Sequence, residues 1–157
     1  MSRKALFSGT FDPFTIGHYA IIKRALAFTD EIIVAIGVNA EKNTLFSPEE
    51  RIENIKNIYS EEKRVSVMHY NNLTIDFAKE LNVDFILRGI RNINDFEYEK
   101  NIADVNRKIS GIETFVLYTE PEHTHISSSI VRELLSYGKE VDEFVPKSMQ
   151  IHNYFKQ

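Results

Sequence analysis

Two short stretches hold the residues whose types and spacing suit them to chemistry on phosphate. The first runs Ser8-Gly9-Thr10-Phe11-Asp12-Pro13-Phe14-Thr15-Ile16-Gly17-His18. Gly9 and Gly17 permit close approach of backbone to a ligand, Thr10 offers a hydroxyl and an N–H, and His18 falls in the first turn of a helix. A histidine beside a helix N-terminus has its charged form disfavoured, so His18 reads as a hydrogen-bond donor to phosphate oxygen rather than an obligate cation. The second stretch, Ile126-Ser127-Ser128-Ser129, opens another helix, where hydroxyls and free N–H groups suit a triphosphate. Capping accounts for one serine there, though hardly for three in a row. Lys42, Arg88 and Arg91 supply positive charge. Singly, each is as well explained as a solvated surface charge; gathered at one edge of a sheet, they form a cleft that focuses on a polyanion.

The elements that must gather them are legible in the apolar pattern. Runs at 5–7, 31–38, 64–68, 85–87 and 114–118 are apolar and β-rich, with helical patterns between them. Ile32-Ile33-Val34-Ala35-Ile36 is apolar at successive positions, as expected of a parallel strand covered on both faces. The prediction is an α/β fold: a doubly wound, Rossmann-like, five-stranded parallel sheet. The clearest helix start is Ser47-Pro48-Glu49-Glu50, where Ser47 can cap, Pro48 sits at the first helical position and Glu50 can complete a capping box. That helix is predicted to run to about 59, and others over 17–28, 75–81, 95–109, 128–137 and 146–155. Open parallel sheets bind ligands beyond the carboxyl ends of their strands. The loops there are 8–18, 39–42, 88–91 and 123–129, and they hold the residues named above.

Composition bounds the rest. A chain of 157 residues, 43% hydrophobic, is expected to fold as one domain, 1–157. With no cysteine there is no disulfide framework, thiolate metal site or thiol nucleophile, which suits a reducing compartment, and a cytoplasmic location is expected. No apolar run reaches the ~18 residues of a membrane span. A net charge of −4 argues against nucleic acid as a partner. Neither a GxGxxG fingerprint nor a Walker lysine loop occurs, which removes the usual dinucleotide and P-loop readings.

Gly9-Thr10-Phe11-Asp12-Pro13 followed by Thr15-Ile16-Gly17-His18 resembles the signature of the nucleotidylyltransferase superfamily, with its (T/H)xGH motif, and Ile126-Ser127-Ser128-Ser129 resembles that superfamily's second motif. Lys42, Arg88-Gly89-Ile90-Arg91 and Asp95-Phe96-Glu97-Tyr98-Glu99 resemble the phosphopantetheine branch, and the likeness runs from about residue 4 to 146. What the resemblance implies is transfer of the adenylyl group of ATP to 4′-phosphopantetheine, with Mg²⁺ accompanying ATP. It further implies that Thr10, Lys42, Thr74 and Arg88 contact the phosphopantetheine, while Thr10, Phe11, His18, Gly89, Ile90, Arg91, Glu99, His123, Thr124, His125, Ile126, Ser127, Ser128 and Ser129 line the ATP site. His18, Thr10 and Lys42 would act on the transferring phosphoryl group. A homohexamer and feedback binding by coenzyme A are implied in the same way.

Two positions depart from the branch's pattern. Ser8 stands where proline is common, and His123-Thr124-His125 replaces an aromatic and serine pattern on the adenine side. The His-x-His raises a metal question, but with no cysteine and no third ligand evident nearby a dedicated metal site is not expected. The competing readings are a related transferase acting on nicotinamide mononucleotide or glycerol 3-phosphate, and a non-catalytic nucleotide-binding module.

Overall fold

The computed structural model describes residues 1–149 and 151. Strands β1 Lys4–Gly9, β2 Glu31–Gly37, β3 Val65–Tyr70, β4 Phe85–Ile90 and β5 Glu113–Tyr118 lie parallel in the order β3-β2-β1-β4-β5. Helices α1 Ile16–Ala25, α2 Pro48–Ile58, α3 Thr74–Glu80 and α4 Ile93–Ser110 connect them, and α5 Ser128–Ser136 follows β5 after a 3₁₀ turn, Pro121–His123. The predicted doubly wound parallel sheet is therefore present. Its order reverses between β1 and β4, the place where such sheets open a crevice for ligand.

The successive apolar residues of the strands fill two cores. Ala5, Phe7, Ile32, Val34, Ile36, Phe85 and Leu87 pack on one face with Ile21 and Ile22 of α1, Ile55 of α2, and Val131 and Leu135 of α5. Leu6, Ile33, Ala35 and Ile86 point to the other face, against Ile75 and Ala78 of α3. Each central strand is apolar on both sides because each side is covered.

Local chemistry sets the helix ends. Ser47 caps α2 as predicted: its Oγ accepts the Glu50 N–H at 3.1 Å, and the Glu50 carboxylate accepts the Ser47 N–H at 2.8 Å. α4 begins two residues before the predicted 95 because Asn92 Oδ1 accepts the Asp95 N–H at 2.9 Å, and it ends at Gly111, which takes the left-handed φ of 77°. α1 stops at Ala25, short of the predicted 28, where the Thr29 hydroxyl takes the Ala25 carbonyl at 2.9 Å. Of the last predicted helix, 146–155, the residues 146–149 form a turn closed by the Met149 N–H on the Pro146 carbonyl at 2.9 Å. Apart from Ile151, the remainder lies outside the described residues. Among the described residues no helix is long and apolar enough to cross a membrane.

β4 and α1 meet closely at a glycine. A Cβ on Gly89 would stand 3.0 Å from Cγ1 of Ile21 and 3.2 Å from its Cδ1. Gly89→Ala should therefore cost about 1–3 kcal/mol by overpacking. In denaturant titrations, combining it with Ile21→Ala should cost less than the sum of the two single changes, because the second change removes the atoms the first one strikes. Strict additivity would show that the contact is not what excludes a side chain at 89.

Candidate active site

The carboxyl ends of β1 and β4 open into a cleft of about 440 Å³, lined among others by Thr10, Phe11, His18, Lys42, Arg88, Gly89, Arg91, Glu99, His123, Ile126 and Ser127 to Ser129. That volume is in the range that takes a small organic ligand. A second cavity of about 200 Å³ adjoins it, bordered by Tyr70, Thr74, Ile102 and Asn106. Thr10, Arg88, Tyr98 and Glu99 line both. Thr74 thus belongs to the smaller cavity, its hydroxyl 2.7 Å from that of Tyr70. Ile90 is buried, and Thr124 and His125 are exposed; these three do not line the cleft.

His18 is the third helical residue of α1, and Thr15 is the N-cap. The Thr15 N–H donates to His18 Nδ1 at 2.9 Å, so the ring takes the place that glutamate or glutamine holds in an ordinary capping box. An Nδ1 that accepts a backbone N–H leaves the proton of the neutral ring on Nε2. Phe11, Phe14 and Phe7 surround the ring, with centroids 5.0, 5.3 and 6.2 Å away. Burial in this setting, and then the positive charges of Arg88 and Arg91, lower the His18 pKa to about 3. The imidazole is a neutral donor, as expected from the sequence, and a poor general base.

The cations are arranged less simply than expected. Lys42 is exposed, and its Nζ donates to the Thr10 hydroxyl at 3.0 Å. Arg88 binds Glu99 in bidentate fashion, Nε to Oε2 at 2.9 Å and Nη2 to Oε1 at 2.7 Å, while its Nη1 donates to the Ser8 carbonyl and reaches the Ser8 hydroxyl at 3.3 Å. Glu99, which the sequence places in a charged helix, is 7% exposed and balances Arg88. Arg91 pairs with Asp95 at 3.0 Å. Ser8, the departure in the first loop, adds a hydroxyl beside Arg88 that proline would lack.

The three serines divide their work. Ser127 Oγ accepts the Ile130 N–H at 3.2 Å as N-cap, Ser128 donates to the Pro13 carbonyl at 2.8 Å, and Ser129 Oγ accepts from Arg132 Nη2 at 3.1 Å. The N–H groups of Ser128 and Ser129 open α5 with no acceptor one turn back in the helix and are available to an anion. The two histidines of His-x-His do not act together. His123 groups with Glu120 and Glu122, their ligand atoms within 4.8 Å, and His125 is not part of that cluster. Two glutamates thus stand where the sequence showed no third ligand, and Arg24 already lies 3.9 Å from Glu120.

Residues 6–134 match the cytidylyltransferase-like family. A phosphopantetheine adenylyltransferase of Bacteroides thetaiotaomicron is 58% identical over 150 residues, covering 96% of this chain and 99% of the relative. One from Flavobacterium johnsoniae is 52% identical over 95% of this chain and 98% of its own length. The chain belongs to the phosphopantetheine adenylyltransferase family. The fold likeness reaches further: a bifunctional NMN adenylyltransferase/ADP ribose pyrophosphatase from Francisella tularensis superposes with a TM-score of 0.68 at 15% identity, over 92% of this chain and 44% of that one.

In this member of the family three polar residues were not singled out from the sequence, Asp12 and Arg132 at the cleft and Arg51 behind it. Asp12 is 3% exposed, and its carboxylate accepts the N–H groups of Leu45 and Phe46 at 2.8 and 2.9 Å. Arg132 donates to the Asp12 carbonyl at 2.8 Å, and Arg51, 3% exposed, donates to the Thr10 carbonyl at 2.7 Å. Asp12 lies inside the quoted glycine-to-proline motif, and Arg132 stands one helical turn past the serines; that spacing was the available signal for both.

His18 links the site to stability. Its native pKa, about 3, lies below the 6.5 of a free histidine side chain, so as pH falls below 6.5 the unfolded chain takes up a proton that the native ring refuses. The contribution is fully present above pH 6.5 and is lost progressively toward pH 3. Denaturant titrations at pH 7.5 and 5 should show a larger loss of stability for the parent chain than for His18→Gln. Equal losses would mean that the native ring titrates normally.

Proposed function

We propose that the chain transfers the adenylyl group of ATP to 4′-phosphopantetheine, giving 3′-dephospho-coenzyme A and pyrophosphate. The observation that carries this reading is the pair of adjoining cavities, which share Thr10 and Arg88, in a chain 58% identical to a named phosphopantetheine adenylyltransferase. A larger, donor-rich cleft suits the nucleotide. The smaller one, bordered by Thr74, Tyr98 and Ile102, suits the less polar arm of the acceptor, whose phosphate would meet Thr10, Lys42 and Arg88 at the junction.

A phosphomonoester's second pKa is about 6, so the acceptor is mostly dianionic at neutral pH and needs no general base. Its oxygen attacks the α-phosphorus of ATP, a new P–O bond forms, and the bond to the bridging oxygen breaks to release pyrophosphate. The chain's part is alignment and charge stabilisation. His18 Nε2–H and Lys42 would donate to the α-phosphoryl oxygens, with the Thr10 hydroxyl beside Lys42. Arg91, Arg132 and the start of α5 would hold the β and γ phosphates. Phe11, Gly89, Glu99, His123 and Ile126 would line the nucleotide cleft, with Ile90, Thr124 and His125 behind or beside it.

Mg²⁺ fits as a companion of ATP rather than as a resident ion. Three carboxylates that line the cleft are already engaged, Asp12 by two backbone N–H groups, Asp95 by Arg91 and Glu99 by Arg88. When bound to the phosphates that Arg132 and Ser127 to Ser129 hold, the ion would neutralise charge on the leaving pyrophosphate.

The chain would act as a single nucleotidylyltransferase domain in the cytoplasm, with coenzyme A as a feedback ligand of the same cleft. The homohexamer implied by the family resemblance has support in the apolar face that α4 leaves open. Phe96, Ile102, Val105 and Ile109 are exposed there, with Phe115, Val116 and Tyr118 exposed on the neighbouring edge strand β5. Val105→Glu, remote from the phosphate donors, should shift the assembly to smaller species in sedimentation. An unchanged mass would place the contacts elsewhere.

The function is tested by pyrophosphate release with ATP, Mg²⁺ and 4′-phosphopantetheine beside nicotinamide mononucleotide and glycerol 3-phosphate. Release is expected with phosphopantetheine alone and should stop on chelation of the metal. His18→Ala should lose about 10²–10³ in kcat, the cost of one oxyanion donor, with much less change in ATP affinity. Release only with another acceptor would overturn the assignment of Lys42 and Arg88; release with none would favour a non-catalytic module.

A further inference from the structure

Arg51 is a charged side chain buried in the first turns of α2, 3% exposed, at a cost that an apolar residue of similar volume would avoid. Its guanidinium is only partly satisfied. Nη1 donates to the Thr10 carbonyl at 2.7 Å, while Nε has no hydrogen-bond partner among the described residues. Burial pulls its pKa down, and the nearby carboxylates of Asp12 and Glu49 hold it up. Asp12 in turn spends its oxygens on the N–H groups of Leu45 and Phe46. Among the described residues, what the buried arginine makes directly is a strong bond to one peptide carbonyl.

That peptide is an unusual one. Phe11, which follows it, has φ of 50°, in the left-handed region that a bulky side chain rarely enters without an imposed constraint. A trans peptide turns its C=O and N–H to opposite sides. Holding the Thr10 carbonyl toward α2 therefore turns the Phe11 N–H away from α2. It also fixes the backbone from which the Thr10 hydroxyl reaches Lys42 Nζ at 3.0 Å. Thr10, Phe11 and Lys42 all line the cleft, whereas Arg51 does not.

We infer that Arg51 is a positioning residue for the transfer step: from beneath the loop it sets the orientation of the Thr10–Phe11 peptide, and through it the Thr10 hydroxyl and Lys42. The inference rests on the proposed adenylyl transfer. It assigns to Arg51 an effect on alignment at the transferring phosphoryl group, where misplacement by about 1 Å costs about 10²-fold in rate.

The test uses Arg51→Met, which keeps the volume and removes the donor, and Arg51→Lys, which keeps a charged donor without the planar fork. Initial rates with ATP and 4′-phosphopantetheine give kcat and both KM values, and thermal unfolding gives Tm. For the Met variant, kcat is expected to fall about 10²-fold with both KM values within about threefold of the parent and a cooperative melt. The Lys variant should recover part of that loss. If the Met variant does not fold, the Lys variant carries the test, with kcat below the parent at unchanged KM. Parental kcat in a folded Met variant would overturn the inference, as would losses in both variants that follow Tm alone or fall on KM. A parent chain silent with phosphopantetheine would overturn the proposed function, and this inference with it.

Discussion

The site hangs on one buried carboxylate. Asp12, in the loop that leaves the central strand β1, accepts the backbone N–H groups of Leu45 and Phe46. Those residues lie between Lys42 and the cap of α2, so the same two bonds hold the loop after β2 against the loop after β1, where Lys42 meets Thr10. A carboxylate held by two backbone donors in a buried setting is stabilised strongly, and removing it would strand both N–H groups. The carbonyls of the loop are bound in their turn: Thr10 by Arg51, Asp12 by Arg132 and Pro13 by Ser128. With its acceptors turned toward α2 and α5, the loop offers donors to the cleft. An anion site needs that asymmetry, because an unbound carbonyl facing the ligand would repel it.

The second constraint is charge. A chain of net charge −4 accommodates phosphate because its cations converge locally, yet two of them are already balanced, Arg88 by Glu99 and Arg91 by Asp95. The pairing lowers the cost of holding two guanidiniums near the neutral His18 ring in the free protein. It also keeps each fork in a fixed plane, so that a phosphate meets oriented donors rather than mobile ones. Lys42, exposed and bonded to a hydroxyl instead of a carboxylate, is the cation most readily transferred to a ligand.

Much of this was legible in the sequence, for definite reasons. Ile32-Ile33-Val34-Ala35-Ile36 reads as a doubly covered strand because both its faces are buried, and Ser47-Pro48-Glu49-Glu50 reads as a helix start because cap chemistry is local. Glu99 was named only through the family resemblance and Arg51 not at all, because a buried ion in a charged helix has the same pattern as a solvated one. Only the fold brings Glu99 to Arg88, 11 residues away, or Arg51 to Thr10, 41 residues away. The limits of α4 were readable in principle from Asn92 and Gly111, but the motif at Asp95 drew its start two residues too late. Of the smaller cavity, Thr10, Thr74 and Arg88 were named as acceptor contacts only through the resemblance; its shape was not legible, since it joins Gly37, Thr74 and Asn106 from three different elements.

Neutral His18 follows from these constraints together. A protonated imidazole there would add a third positive charge beside Arg88 and Arg91, inside a ring of Phe7, Phe11 and Phe14 that gives it little solvation. Keeping it neutral, with Nδ1 fixed by the Thr15 N–H, leaves one Nε2–H of defined direction that needs no counter-charge in the free protein. Such a donor interacts modestly with a ground-state phosphate and more strongly as negative charge builds on its oxygens, which is the difference that lowers a barrier. A histidine with a pKa of about 3 stays in this form across the range in which a phosphomonoester gains its second charge, near pH 6. An acid limb of the reaction would therefore belong to the acceptor's phosphate and not to His18.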